Sequence, residues 1–166
     1  MLIWRPDLPE PRPAFKLDAR DPEPVSLEAL LHARRLCATF RVPPHQFRRR
    51  TSKSVMGGYY TATDIVAVNR AAADANGLGG DDGYYAVLLH ELIHATGHRR
   101  RLGRPTTGDY SPEGYALEEG TALTSQRIVL REIGFELEAL EWHAPSNHGL
   151  PVDQEAAEAA AAWILD

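Results

Sequence analysis

Tyr84-Tyr85-Ala86-Val87-Leu88-Leu89-His90-Glu91-Leu92-Ile93-His94-Ala95-Thr96-Gly97-His98 is the stretch that decides the fold. Its core is an H-E-x-x-H pentapeptide inside an apolar run with the texture of a buried helix, predicted over Tyr84–Thr96. Asp81 and Asp82 are suitable N-cap residues before it, and Gly97 is placed to close it in the left-handed conformation. Residues four apart on an α-helix differ by about 40° around the axis and one turn along it. His90 and His94 therefore project from one face and are suited to grip a single zinc ion. Glu91 lies beside them, placed to take a proton from a metal-bound water. This residue set predicts a zinc-dependent hydrolase of peptide bonds.

A catalytic zinc site takes three protein ligands and leaves a fourth position for water. Three residues compete for the third place. Glu119 and its neighbour Glu118 lie on the helix predicted after the loop Arg99–Tyr110, and His98 follows the motif directly. The position ten residues after His90, where a third histidine would complete a longer motif, is Arg100. Glu119 is favoured, because a helix–loop–helix closes at this spacing and the small Ala122 three positions on lets the two helices pack closely. Glu118 and Glu119 sit about 100° apart on a helix, so only one points straight at the metal and the other is left for a supporting role or for solvent. Tyr84, Tyr85 and Tyr115 are candidate oxyanion donors, although tyrosines near a core more often serve packing.

Around this centre the chain reads as α+β. Residues 5–24 carry six prolines and are read as part of an extended arm, residues 1–25, ahead of a single domain at 26–166. Ser26 caps a predicted N-terminal helix running to about Phe40, with Leu27, Leu30, Leu31, Ala33 and Leu36 as its apolar face. Tyr59-Tyr60 and Ile65-Val66-Ala67-Val68 flank Thr61–Asp64 as a hairpin, with Val66–Asn69 as a candidate edge strand near the site. Ser111-Pro112-Glu113 opens a long helix to about Ile133, closed by Gly134. Gly120 within it costs about 1 kcal/mol relative to Ala, which implies a close neighbour. An Ala-rich helix carrying Trp163 forms the tail, Asp153–Leu165.

Composition narrows the classes. The 166 residues, 43% hydrophobic and 25% charged, suit one globular domain with a real core. No run approaches the roughly 18 apolar residues of a membrane span, and Met1–Pro6 does not read as a secretory signal. Cys37 is the single cysteine, read as a buried thiol, which excludes an intramolecular disulfide and a cysteine-based zinc site. A cytoplasmic setting is the expectation. The net charge of −5 argues against whole-surface attraction to nucleic acid. Arg48–Arg50 with Lys53, and Arg99–Arg101 with Arg104, are read as solvated loops, the second also placed to line the cleft mouth. The expected partner is a protein or peptide substrate, with nucleic acid only weakly supported.

The stretch quoted above, followed by Arg101-Leu102-Gly103-Arg104 and Tyr115-Ala116-Leu117-Glu118-Glu119, resembles the zincin-like peptidase domain of ArdC-type antirestriction proteins, which also occurs in polyvalent proteins of plasmids and phages. The resemblance covers about residues 57–165. It implies a zincin-like fold, a Zn2+ cofactor, ligands at His90, His94 and Glu119, and a general base at Glu91. Gly120 stands where such domains usually carry leucine, and Leu123 where they carry a supporting acid. A second reading belongs to another class: a non-catalytic metal-binding module that occupies a DNA-processing or restriction partner.

Overall fold

A computed structural model describes residues 25–40, 57–69, 80–135 and 149–166. The predicted arm at 1–24, the basic run at 48–53 and residues 70–79 lie outside them. Val25, assigned to the arm from sequence, packs against the core.

Helix α1 spans Leu27–Thr39, and the Ser26 hydroxyl accepts the Ala29 N–H at 3.2 Å. Its buried face matches the predicted one at Ala33, with Leu30 and Leu36 packed against the core, and differs from it elsewhere. Ala29, Ala33 and Cys37 point inward, whereas Leu27 and Leu31 are 70% and 49% exposed. Small side chains four apart let α1 approach the central helix closely, and a leucine ridge would hold it away.

Strands β1 (Gly57–Tyr60) and β2 (Ile65–Val68) form an antiparallel hairpin in which Tyr59 faces Val66 and Tyr60 faces Ile65. The turn is Thr61–Asp64, with Asp64 at φ 52°, a left-handed conformation that a short polar side chain tolerates. Val66, Ala67 and Val68 are buried.

Helix α2 spans Gly80–Thr96 and begins earlier than the sequence suggested, so Asp81 and Asp82 lie in its first turn and not at the N-cap. There they still complement the positive helix end. Leu88, Leu89, Leu92 and Ile93 are at most 2% exposed. A helix apolar on nearly every side belongs in the centre of a domain. Accordingly α1, both strands and both later helices all contact it. Burial of each such side chain contributes about 1.5–3 kcal/mol.

Helix α3 (Pro112–Glu132) starts at the Ser111 cap, whose hydroxyl accepts the Gly114 N–H at 3.1 Å. It ends at Gly134, where φ is +78° and Phe135 N–H returns to the Leu130 carbonyl. Helix α4 (Gln154–Leu165) buries Ala157, Ala160, Ala161 and Ile164, and its Trp163 ring lies 5.0 Å from that of Phe40. The segment leading into α4 crosses α3 at Gly120, where a Cβ would strike the Pro151 carbonyl oxygen. That crossing is the close neighbour implied by a glycine inside a helix. Among the described residues, no helix is long and apolar enough to cross a membrane.

Candidate metal centre

His90 and His94 stand one turn apart on α2, and Glu119 comes from the second turn of α3. Gln126 fastens the two helices farther along by donating its side-chain amide to the Ala86 carbonyl at 2.8 Å. Three potential donor atoms converge between the helices. His90 Nε2 and His94 Nε2 are 3.1 Å apart, His94 Nε2 is 3.4 Å from Glu119 Oε1, and His90 Nε2 is 3.5 Å from Glu119 Oε2. Tetrahedral zinc with bonds near 2.0–2.1 Å sets its ligand atoms about 3.3–3.4 Å apart. Two imidazole nitrogens and a carboxylate oxygen at these separations could hold such an ion.

The competing residues are placed elsewhere. Glu118 sits behind His94, its Oε1 3.1 Å from Nδ1, on the side away from the convergence point. Burial alone would raise the Glu118 carboxyl, but His94 and Arg104 outweigh it and hold the group well below the usual carboxylate range. Leu123 supplies no acid, and the carboxylate supporting His94 comes from earlier on the same helix. His98 turns to the hairpin: its Nδ1 accepts the Arg100 backbone N–H at 3.3 Å and lies 3.9 Å from Asp64 Oδ2.

Glu91 is 8% exposed beside the two histidines, and burial pushes its carboxyl above the ordinary range. It accepts the backbone N–H of Tyr59 on β1. Gly57 on the same strand has no Cβ because one would lie 2.8 Å from Glu91 Oε1 and 2.9 Å from Val87. The strand beside Glu91 is thus β1. Val66–Asn69, the edge expected from sequence, is buried. Alternating side-chain burial shows which residues pair in a hairpin but not which of its two edges meets a neighbouring helix.

Tyr84 and Tyr85 pack against the core with ring centroids 5.2 Å apart. Tyr115 is 57% exposed, one turn before Glu119. Partial burial of its hydroxyl and the neighbouring Glu119 carboxylate push its pKa up to about 12, so the phenol keeps its proton at neutral pH.

The loop after α2 departs most from the sequence reading. Arg99 and Arg100 are solvated as expected, but Arg104 is buried and paired with Glu118, and Arg101 is paired with Asp64. Neither paired guanidinium is free to attract an acidic ligand. Gly97 is not left-handed; a Cβ there would collide with Thr107 and with the Arg104 guanidinium. The Arg101-Leu102-Gly103-Arg104 segment was visible as a motif, but its partners are distant in sequence.

A profile of the family described as Zincin-like metallopeptidase matches residues 29–146. Among curated proteins, the uncharacterized protein y4eC of Sinorhizobium fredii is 31% identical over 117 residues, covering 70% of this chain and 35% of that protein. A DNA primase TraC of Escherichia coli is 43% identical over 67 residues, covering 40% of this chain and 4% of the primase. A second Escherichia coli TraC is 42% identical over 67 residues, 6% of its length. The chain thus spans 35% or less of these relatives. No solved structure matches.

Proposed function

The chain belongs to the zincin-like metallopeptidase family, and on that footing we propose that it is a zinc-dependent peptidase with His90, His94 and Glu119 as metal ligands and Glu91 as general base. The convergence of three donor atoms at 3.1–3.5 Å carries this reading. Zinc held there supplies a water of pKa near ~7 and polarisation of the scissile carbonyl.

The remaining roles fall to the chain's own side chains. Glu91 accepts the proton of the attacking water and delivers it to the leaving amine. Its raised proton affinity suits both halves of that task. The Tyr59 N–H holds one side of the carboxylate and limits its rotation. Tyr115, whose protonated hydroxyl bonds to Glu119, would turn from that carboxylate to donate to negative charge developing on the substrate oxygen. An extended peptide would lie along the side of β1 that faces Glu91. Two relatives are DNA primases by name, so the proposed substrate is a protein or peptide met in a DNA-processing setting.

Cleavage of an unfolded protein with and without zinc tests the reading. The parent protein should cleave only when zinc is loaded. Glu91→Gln should bind zinc as the parent does and lose about 100- to 10,000-fold in turnover. Undiminished cleavage by the variant would remove Glu91 from the mechanism. A parent that binds zinc and cleaves nothing would favour a metal-binding module that acts by occupying a DNA-processing partner.

A further inference from the structure

Arg101 and Arg104 leave the same short loop and bond to separate sets of partners. Arg104 Nη2 and Nε donate to Glu118 Oε1 and Oε2 at 2.6 and 3.2 Å. Thr106 and Thr107 hydroxyls donate to the same carboxylate at 2.6 and 3.1 Å. Arg104 is itself braced on α2, donating to the Thr96 hydroxyl at 2.7 Å and the Ile93 carbonyl at 3.0 Å. A carboxylate that accepts from four donors and lies beside a guanidinium carries no proton. The hydrogen between Glu118 and His94 therefore resides on His94 Nδ1, which leaves Nε2 as the ring nitrogen that would give up its proton to a metal at the convergence point.

Arg101 builds a second circuit. Its Nε donates to the Ala95 carbonyl at the end of α2. Its guanidinium forks onto both Asp64 oxygens and donates to the Tyr59 hydroxyl at 3.3 Å, while that hydroxyl donates to Asp64 Oδ1 at 2.8 Å. Tyr59 is the residue whose backbone N–H meets Glu91. The path thus leaves α2 at Ala95, passes through Arg101 and Tyr59, and returns to α2 at Glu91.

We propose that Arg101 and Arg104 are positioning residues with separate tasks: Arg104 fixes the tautomer and orientation of His94 through Glu118, and Arg101 fixes the strand that seats Glu91 through Asp64 and Tyr59. This rests on the reading of His90, His94 and Glu119 as zinc ligands and of Glu91 as base. The division follows from spacing. Two residues separate the two arginines on a loop that turns at Gly103, where φ is +64°, so their side chains diverge.

Zinc titration against a chelator, together with amide hydrogen exchange, tests the division without any cleavage assay. Removing Arg104 alone strands a buried carboxylate and endangers the fold, so the informative variant is Arg104→Met/Glu118→Gln, which removes both charges. It should bind zinc about 10- to 100-fold more weakly and shift the visible absorption of the cobalt-substituted protein, while Tyr59 N–H protection stays as in the parent. Arg101→Met should bind zinc within about 3-fold of the parent, a change below the 10-fold scale of a supporting partner, with an unchanged cobalt spectrum and loss of Tyr59 N–H protection. Arg101→Lys should restore part of that protection. Unchanged zinc affinity in the Arg104→Met/Glu118→Gln protein, or equal loss of zinc in both proteins, would overturn the division. Failure of the parent to bind zinc at all would overturn the metal reading beneath it. Zinc binding without peptide cleavage would count against the peptidase alone.

Discussion

Glu118 and Glu119 are consecutive, yet they address opposite nitrogens of one imidazole: Glu118 lies 3.1 Å from His94 Nδ1 and Glu119 lies 3.4 Å from His94 Nε2. The roughly 100° step between neighbours on a helix is enough to wrap both carboxylates around the ring. One acid faces the convergence point, and the other sets the ring that faces it.

The two acids should separate cleanly in zinc affinity. Glu119→Ala removes a proposed ligand and should weaken binding more than Glu118→Gln, which removes a supporting partner and should cost about 10- to 100-fold. Titration against a chelator of known strength measures both. A larger loss in Glu118→Gln would reverse the assignment.

Metal-free and zinc-loaded protein should respond differently to pH. Burial opposes charge on His94, but Glu118 and Glu119 outweigh it and push its pKa from 6.5 up to about 10. A pKa raised by folding stabilises fully below the unfolded value and loses that contribution as pH climbs through the folded value. The metal-free protein should therefore lose melting temperature as pH rises from 6.5 towards about 10. A ligating His94 holds no such proton, so the zinc-loaded protein should lose less over the same range. Thermal scans of both forms check this; a gap between them that stays constant would contradict it.

Gly120→Ala should destabilise the protein even though alanine is the better helix former by about 1 kcal/mol. Its methyl group would meet the Pro151 carbonyl, and backbone cannot swing aside as a side-chain tip can. Overpacking of this kind costs about 1–3 kcal/mol. Chemical denaturation should show a lower midpoint, and a gain in stability would contradict the crossing of α3 by the Leu150–Pro151 segment.

Cys37 should resist alkylation in the native protein. It is 4% exposed, and burial pushes its thiol up to about 12, so the reactive thiolate is scarce at neutral pH. Mass spectrometry after iodoacetamide treatment should find it modified only once denaturant is added.

Much of the architecture was legible in the residues themselves. Ser26 and Ser111 cap the helices that follow them, because a short side-chain oxygen satisfies N–H groups that the helix leaves open. The hairpin was legible from β-favouring runs on either side of a short polar turn. The apolar face of α1 was legible only in part: Leu30, Ala33 and Leu36 do meet the core, but Leu27 and Leu31 look more apolar than Ala29 and Cys37, and only the proximity of α2 decides that the smaller pair faces inward. Gly97 was read as a helix stop by conformation, but its requirement is space, imposed by Thr107 and Arg104 from beyond the helix.

Within one helix, spacing is geometry, so the sequence by itself determined that His90 and His94 share a face with Glu91 between them. Across helices, spacing is not geometry. Only the tertiary structure decided that Glu119 meets the two histidines while Glu118 supports one of them, that β1 and not Val66–Asn69 lies over Glu91, and that two arginines of a basic run are paired with acids. These are contacts between segments joined by loops, set by how α2, α3 and the hairpin pack, and no local pattern encodes the angle at which separate elements meet.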